Sequence, residues 1–170
     1  FTVKTPYNII PDLTLGVPGL INVENALAAL AAADQLGVSH EELTRSMPRF
    51  SGVERRFDVR VEKADRIYID DYAHHPEELR ALITSVREMY PGKRITGIFQ
   101  PHLYSRTRDF AGGFAESLGL LDELVLLDIY PAREEPIPGV SSDLILRKTE
   151  LAEKVLIRKE QLLRVIKERD

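Results

Sequence analysis

The run Asp70-Asp71-Tyr72-Ala73-His74-His75 places two carboxylates, a phenol and two imidazoles within six residues. Carboxylates at the end of a strand can accept hydrogen bonds from ribose hydroxyls, as the acid of dinucleotide-binding folds does, or stand as solvated turn acids. With His102, and Asp70 or Asp71 as a fourth ligand, the histidines make a zinc site imaginable. Adjacent histidines at a strand–helix turn diverge, however, and no HExxH spacing is present. Hydrogen-bonding histidines are the expectation, and no metal site.

The densest polar stretch is His102-Leu103-Tyr104-Ser105-Arg106-Thr107-Arg108. Its guanidinium forks suit a small carboxylate; the alternative is a capped helix start with exposed arginines. Arg55-Arg56 suits phosphate in the same way, or is a solvated pair. Asn22 and Asn25, three apart, share a helix face. Each amide offers a donor and an acceptor, enough to read a purine edge, and Asn22 can equally be a helix N-cap. The sequence has no GxxxxGK(S/T), no GxGxxG, no GxSxG and no cysteine. A chain touching ATP through these residues holds the base and sugar, and another segment holds the phosphates.

The elements that must position these groups follow from periodicity. Leu13, Leu15 and Val17 alternate as in a strand. Val23, Ala26, Leu27 and Leu30 share a helical face over Asn22–Leu36, with Gly37 at the stop. Ser39 and Glu42 have capping-box spacing for a second helix ending before Pro48. A polar, basic segment around Gly52 marks a domain boundary. Phe57, Val59 and Val61 alternate into a hairpin with the strand Arg66–Asp70, expected at the edge of a sheet. Pro76 opens a helix with Glu77 and Glu78 in its first turn. Arg94–Phe99, Glu123–Ile129 and Lys154–Ile157 read as strands, and Asp109, Ser142 and Arg158 as helix starts, the last helix running to Arg169. Strands alternating with helices predict an α/β fold, a doubly wound, mostly parallel sheet whose polar loops lie along one edge.

Composition narrows the function. A net charge of −4 gives no electrostatic case for nucleic acid or anionic membrane. No apolar run approaches the ~20 residues a bilayer needs. The absence of cysteine excludes disulfides and thiolate metal sites.

Five runs, in order, resemble the Mur ligases: Asn22-Val23-Glu24-Asn25-Ala26-Leu27-Ala28-Ala29, Phe50-Ser51-Gly52-Val53-Glu54-Arg55-Arg56-Phe57, Asp70-Asp71-Tyr72-Ala73-His74-His75-Pro76, Phe99-Gln100-Pro101-His102 through Arg108, and Glu134-Glu135-Pro136-Ile137-Pro138-Gly139. The resemblance covers essentially the whole chain and implies two parts. Residues 1–52 would end a central ATP-binding domain, and residues 53–170 would form a Rossmann-like carboxyl-terminal domain lacking its usual last strand. It implies an ATP- and Mg²⁺-dependent cytoplasmic amide ligase of peptidoglycan precursor synthesis that joins L-alanine to UDP-N-acetylmuramate through an acyl phosphate. The Mg²⁺ ligands lie outside this piece, and the other domains of the same enzyme are its partners. By resemblance Asn22 and Asn25 hold adenine, Arg56 approaches the phosphates, and Asp71 binds ribose. His102 and Arg106, with Tyr72 nearby, receive the amino acid's carboxylate. Ile21 stands where the family often has histidine, and Leu103 where many members have arginine, which shifts carboxylate binding onto Arg106. Without a P-loop the chain alone is expected to be inactive. The alternatives are the sibling ligase that attaches a recycled tripeptide to the same sugar, and a non-catalytic nucleotide-binding or interaction module.

Overall fold

The computed structural model describes residues 1–6 and 8–168, and the chain divides into two compact units at Tyr72/Ala73.

In the first unit, β1 (Val3–Lys4) and β2 (Ile9–Ile10) pair antiparallel. The strand expected over Leu13–Val17 does not form. Leu13 is buried there, but the Gly16 amide donates to the Met47 carbonyl at 3.1 Å, so a loop contact replaces the ladder, and Pro18 has no amide to extend one. Helix α1 (Leu20–Gln35) starts before Asn22. Asn22 therefore does not cap it; its side-chain amide donates back to the Pro18 carbonyl at 2.5 Å. At the other end Gly37 adopts φ 80°, and the Val38 amide returns to Ala33 at 3.1 Å, a glycine-dependent helix stop.

Helix α2 (His40–Ser46) begins at the expected Ser39–Glu42 capping box and ends, as expected, before Pro48, which lies in a following 3₁₀ turn (Met47–Arg49). Val3, Ile10, Leu13, Leu30 and Leu43 form the core. Strands β3 (Asp58–Glu62) and β4 (Ile67–Asp70) make the predicted hairpin, with an irregularity between Val59 and Val61. Among the described residues it is a separate two-stranded sheet, not the edge of the parallel one. Tyr68 is 54% exposed, the wet face that an antiparallel pair tolerates and a parallel strand does not.

In the second unit, β5 (Thr96–Phe99), β6 (Glu123–Leu127) and β7 (Lys154–Ile157) form a parallel sheet in that order. Helices α3 (Pro76–Met89), α4 (Tyr104–Leu118), α5 (Asp143–Lys148) and α6 (Leu162–Lys167) complete it; Arg169, the expected end of the last helix, lies outside the described residues. The α/β class is as predicted, with both faces of the sheet covered. Every residue of β6 is buried, as a near-continuous apolar run requires. Leu124 and Leu126 pack with Leu79, Ile83, Phe114 and Ile145 on one face. Val125 and Leu127 pack with Ile157 and Val165 on the other. Each fully buried leucine or phenylalanine contributes about 1.5–3 kcal/mol, so this two-faced strand anchors the loops at its carboxyl end.

Helix α4 departs from expectation. It begins at Tyr104 after Leu103, and a non-helical Phe110 (φ −116°) kinks it. Asp109 is thus inside the helix, paired with Arg108 at 2.7 Å. From Tyr104 to Arg108 the polar run is the start of a helix rather than a loop.

Candidate active site

In the first unit the chain around Val53–Phe57 makes a tight corner. Arg55 and Phe57 have φ of 60° and 50°, a region that L residues occupy only when their surroundings hold them. Three bonds do so. The Phe57 amide donates to Asp71 Oδ2 at 2.7 Å, the Arg55 amide to Asp58 Oδ2 at 3.1 Å, and the Tyr72 amide to the Arg55 carbonyl at 2.7 Å. Phe57 is consequently buried, with its ring beside Gly19 at the start of α1. Asp71, assigned by resemblance to ribose, has a carboxylate oxygen engaged in this fold contact.

Arg55 lies over the Tyr72 ring at 4.9 Å and 3.7 Å from Asp70. Arg56 lies farther from the same ring, at 5.9 Å. Among the described residues no carboxylate pairs with Arg56. It lines a cleft of about 280 Å³ with Val17, Pro18, Gly52 and Glu54. The Asn22 amide is tied to Pro18 at that cleft's wall, and Asn25 is exposed one turn further along α1. The cleft thus presents a guanidinium of the kind that suits a phosphate, while Asn22 reaches it only through the Pro18 carbonyl that its amide holds.

In the second unit the site lies at the carboxyl ends of β5 and β6, where open α/β sheets bind ligands. Past β5, His102 pairs in a short parallel bridge with Tyr130 past β6, and their rings stack at 5.4 Å. Leu103 then turns the chain with φ 73° into α4. Burial, followed by the nearby Arg106 and His74, holds the His102 imidazole below its ordinary pKa, with Glu134 opposing. At neutral pH that keeps His102 uncharged, able to donate from one ring nitrogen. Arg106 pairs with no protein carboxylate among the described residues. An open guanidinium beside a neutral imidazole has the donors that a small carboxylate would need.

His74 and His75 have structural work. His75 caps α3, its Nδ1 accepting from the Glu77 amide at 3.4 Å, and its ring meets Phe110 edge-on at 4.9 Å. Glu78 accepts from the His74 and His75 amides at 2.8 and 3.1 Å. Among the described residues no three His, Cys, Asp or Glu side chains gather as metal ligands. Tyr72, expected near His102 and Arg106, belongs to the first unit, where Arg55 covers its ring. Two further candidates follow β6: Tyr130, whose one sequence signal was its place after a buried parallel strand, and Glu134, which opens the Glu134–Gly139 run but has no role implied by the resemblance.

A family model described as "Mur ligase, glutamate ligase domain" matches residues 55–169. The chain belongs to the Mur ligase family. It is 59% identical to the UDP-N-acetylmuramate–L-alanine ligase of Parabacteroides distasonis over 92% of its own length and 34% of the relative's. It is 56% identical to the ligase of the same name from Porphyromonas gingivalis, over 96% of this chain and 36% of the relative. Among solved structures, the UDP-N-acetylmuramate–alanine ligase of Thermotoga maritima matches with a TM-score of 0.71 and 33% identity, over 90% of this chain and 33% of that one. The chain spans about a third of the length of these relatives. Mur ligases are ATP-dependent, generally with Mg²⁺. The Arg56 guanidinium, in no ion pair among the described residues, has the chemistry to meet a phosphate.

Proposed function

We propose that this chain is the carboxyl-terminal part of a cytoplasmic ligase that joins L-alanine to UDP-N-acetylmuramate in peptidoglycan precursor synthesis. Residues 1–52 then close the central ATP-binding domain, and residues 53–170 form the amino-acid-binding domain; the composition shift near Gly52 and the family match from residue 55 support that division. ATP with Mg²⁺ supplies the phosphoryl group that converts the muramyl carboxylate into an acyl phosphate. Mg²⁺ is held by residues outside this chain. Asn22 and Asn25 offer amides to adenine, Asp71 lies on the ribose side, and Arg56 meets the phosphates.

The observation that carries the reading is Arg106, a guanidinium without a counterion among the described residues, beside the uncharged His102. Together they grip the carboxylate of L-alanine and leave its amine free to attack. Holding that amine at the acyl carbon converts a bimolecular step into an effectively unimolecular one.

An amino-acid panel on the intact enzyme tests this. L-alanine should give the highest kcat/KM, ahead of glycine, D-alanine and acidic amino acids. Preference for a tripeptide, or no ligation at all, would refute the proposal. The isolated 170-residue chain should show no ligation, because the phosphate-binding half of the site is elsewhere.

A further inference from the structure

Helix α4, which carries Arg106, has no cap of its own. Leu103 holds the N-cap position in left-handed backbone and contributes no capping side-chain bond. The first amides of a helix need acceptors, and an outside group provides them. Glu134, in the loop after β6, accepts from the Ser105 amide at 2.9 Å and the Ser105 hydroxyl at 2.5 Å.

Glu134 is itself fixed. Its amide donates to the Pro131 carbonyl at 3.0 Å across a turn in which Ala132 has φ 53°. Nearer β6, Tyr130 donates to Pro101 at 2.8 Å and accepts from the Leu103 amide at 3.0 Å. The loop after β6 is therefore bound along the whole stretch from Pro101 to Ser105. Arg106 lies within electrostatic range of Glu134 but forms no ion pair with it. A carboxylate at this helix start also satisfies the dipole there.

We propose that Glu134 is a positioning residue for amino-acid binding: by holding Ser105 it sets where α4 begins and how Arg106 presents its guanidinium. By filling the anion-seeking helix end, it leaves Arg106 and His102 as the place for the substrate's carboxylate. This rests on the reading of His102 and Arg106 given above.

Steady-state kinetics on the intact enzyme test it. Glu134→Ala should raise KM for L-alanine about fivefold with kcat within about twofold and KM for ATP unchanged. Ser105→Ala, which keeps the amide bond, should raise it about twofold, and the double variant should be no worse than Glu134→Ala, because both act through one contact. Glu134→Gln retains an acceptor oxygen and should recover most of the loss. Amide hydrogen exchange at residues 104–106 should quicken about tenfold in Glu134→Ala, whatever amino acid the enzyme uses. Failure of the wild type to use L-alanine would remove the functional reading, while the exchange measurement would still judge the hold of Glu134 on the helix. Additive effects of the two substitutions, no rescue by glutamine, an unchanged KM or unchanged exchange would each overturn the assignment.

Discussion

Phe57 donates its backbone amide to the carboxylate of Asp71 at 2.7 Å, so the acid that family resemblance assigns to ribose also holds a left-handed corner of the fold. The bond pins buried Phe57 beside the start of α1 and, through the same corner, places Arg56 at its cleft. If Asp71 meets the ribose as proposed, structure and nucleotide contact are coupled at one side chain.

Asp71→Ala should consequently do two things. Loss of the acceptor should lower stability by about 1–3 kcal/mol, measured by urea unfolding. In the intact enzyme, KM for ATP should also rise. Asp71→Asn keeps an oxygen for the Phe57 amide and should recover most of the stability but not the nucleotide affinity. Equal recovery of both would mean that Asp71 acts on nucleotide through the fold alone.

Arg106 gives a cleaner separation, because no ion pair among the described residues is lost with it. Arg106→Ala in the intact enzyme should raise KM for L-alanine by about 10- to 100-fold, the loss of a charge-assisted bond of about 1.5–3 kcal/mol, and leave KM for ATP unchanged. Arg106→Lys should recover only part, since an ammonium cannot reproduce the planar fork. A matching loss for both substrates would contradict the assigned role.

Local chemistry was readable in the sequence wherever one residue decides one contact. Ser39 and Glu42 close their capping box, Gly37 stops α1, and the unbroken apolar run of β6 is buried on both faces. Tertiary acceptors were not readable. Asn22 looks like a cap until the Pro18 carbonyl takes its amide, and Asp109 looks like a helix start until Glu134, 29 residues from Ser105, supplies the cap. The hairpin of β3 with β4 was legible in their alternation, but its separation from the parallel sheet was not, because a short apolar strand carries no mark of which sheet it joins. For the site, residue types were legible and their partners were not: Arg106 stood out in the sequence, and what leaves it unpaired did not.

Two glycines should respond in opposite directions to the same substitution. A Cβ at Gly16 would collide with the backbone carbonyls of Phe50 and Pro48, which no rotamer change relieves. Gly16→Ala should therefore destabilise by about 1–3 kcal/mol. Gly112 lies within α4 with open space where a methyl group would project. Gly112→Ala should stabilise by about 0.5–1 kcal/mol. Thermal melts of both variants check the pair, and a stabilised Gly16→Ala would contradict the close approach of the 14–18 loop to the 3₁₀ turn.

His102 sets the last expectation. Burial first, then the charges of Arg106 and His74, holds its pKa below the ordinary 6.5 in the folded protein. Between 6.5 and that lowered value, the unfolded chain binds more protons than the folded one. Stability rises with pH wherever that holds. The folded state should therefore lose stability as pH falls from 6.5 through this window, and His102→Asn should flatten that part of the profile. Removing the neighbouring cation should shift the same group: in Arg106→Ala, the imidazole C–H resonance of His102 should titrate at higher pH than in the wild type. A bound carboxylate should move it the same way by favouring the protonated ring. Proton NMR titrations of the wild type and Arg106→Ala decide the matter, and an unmoved resonance would show that Arg106 does not act on the imidazole.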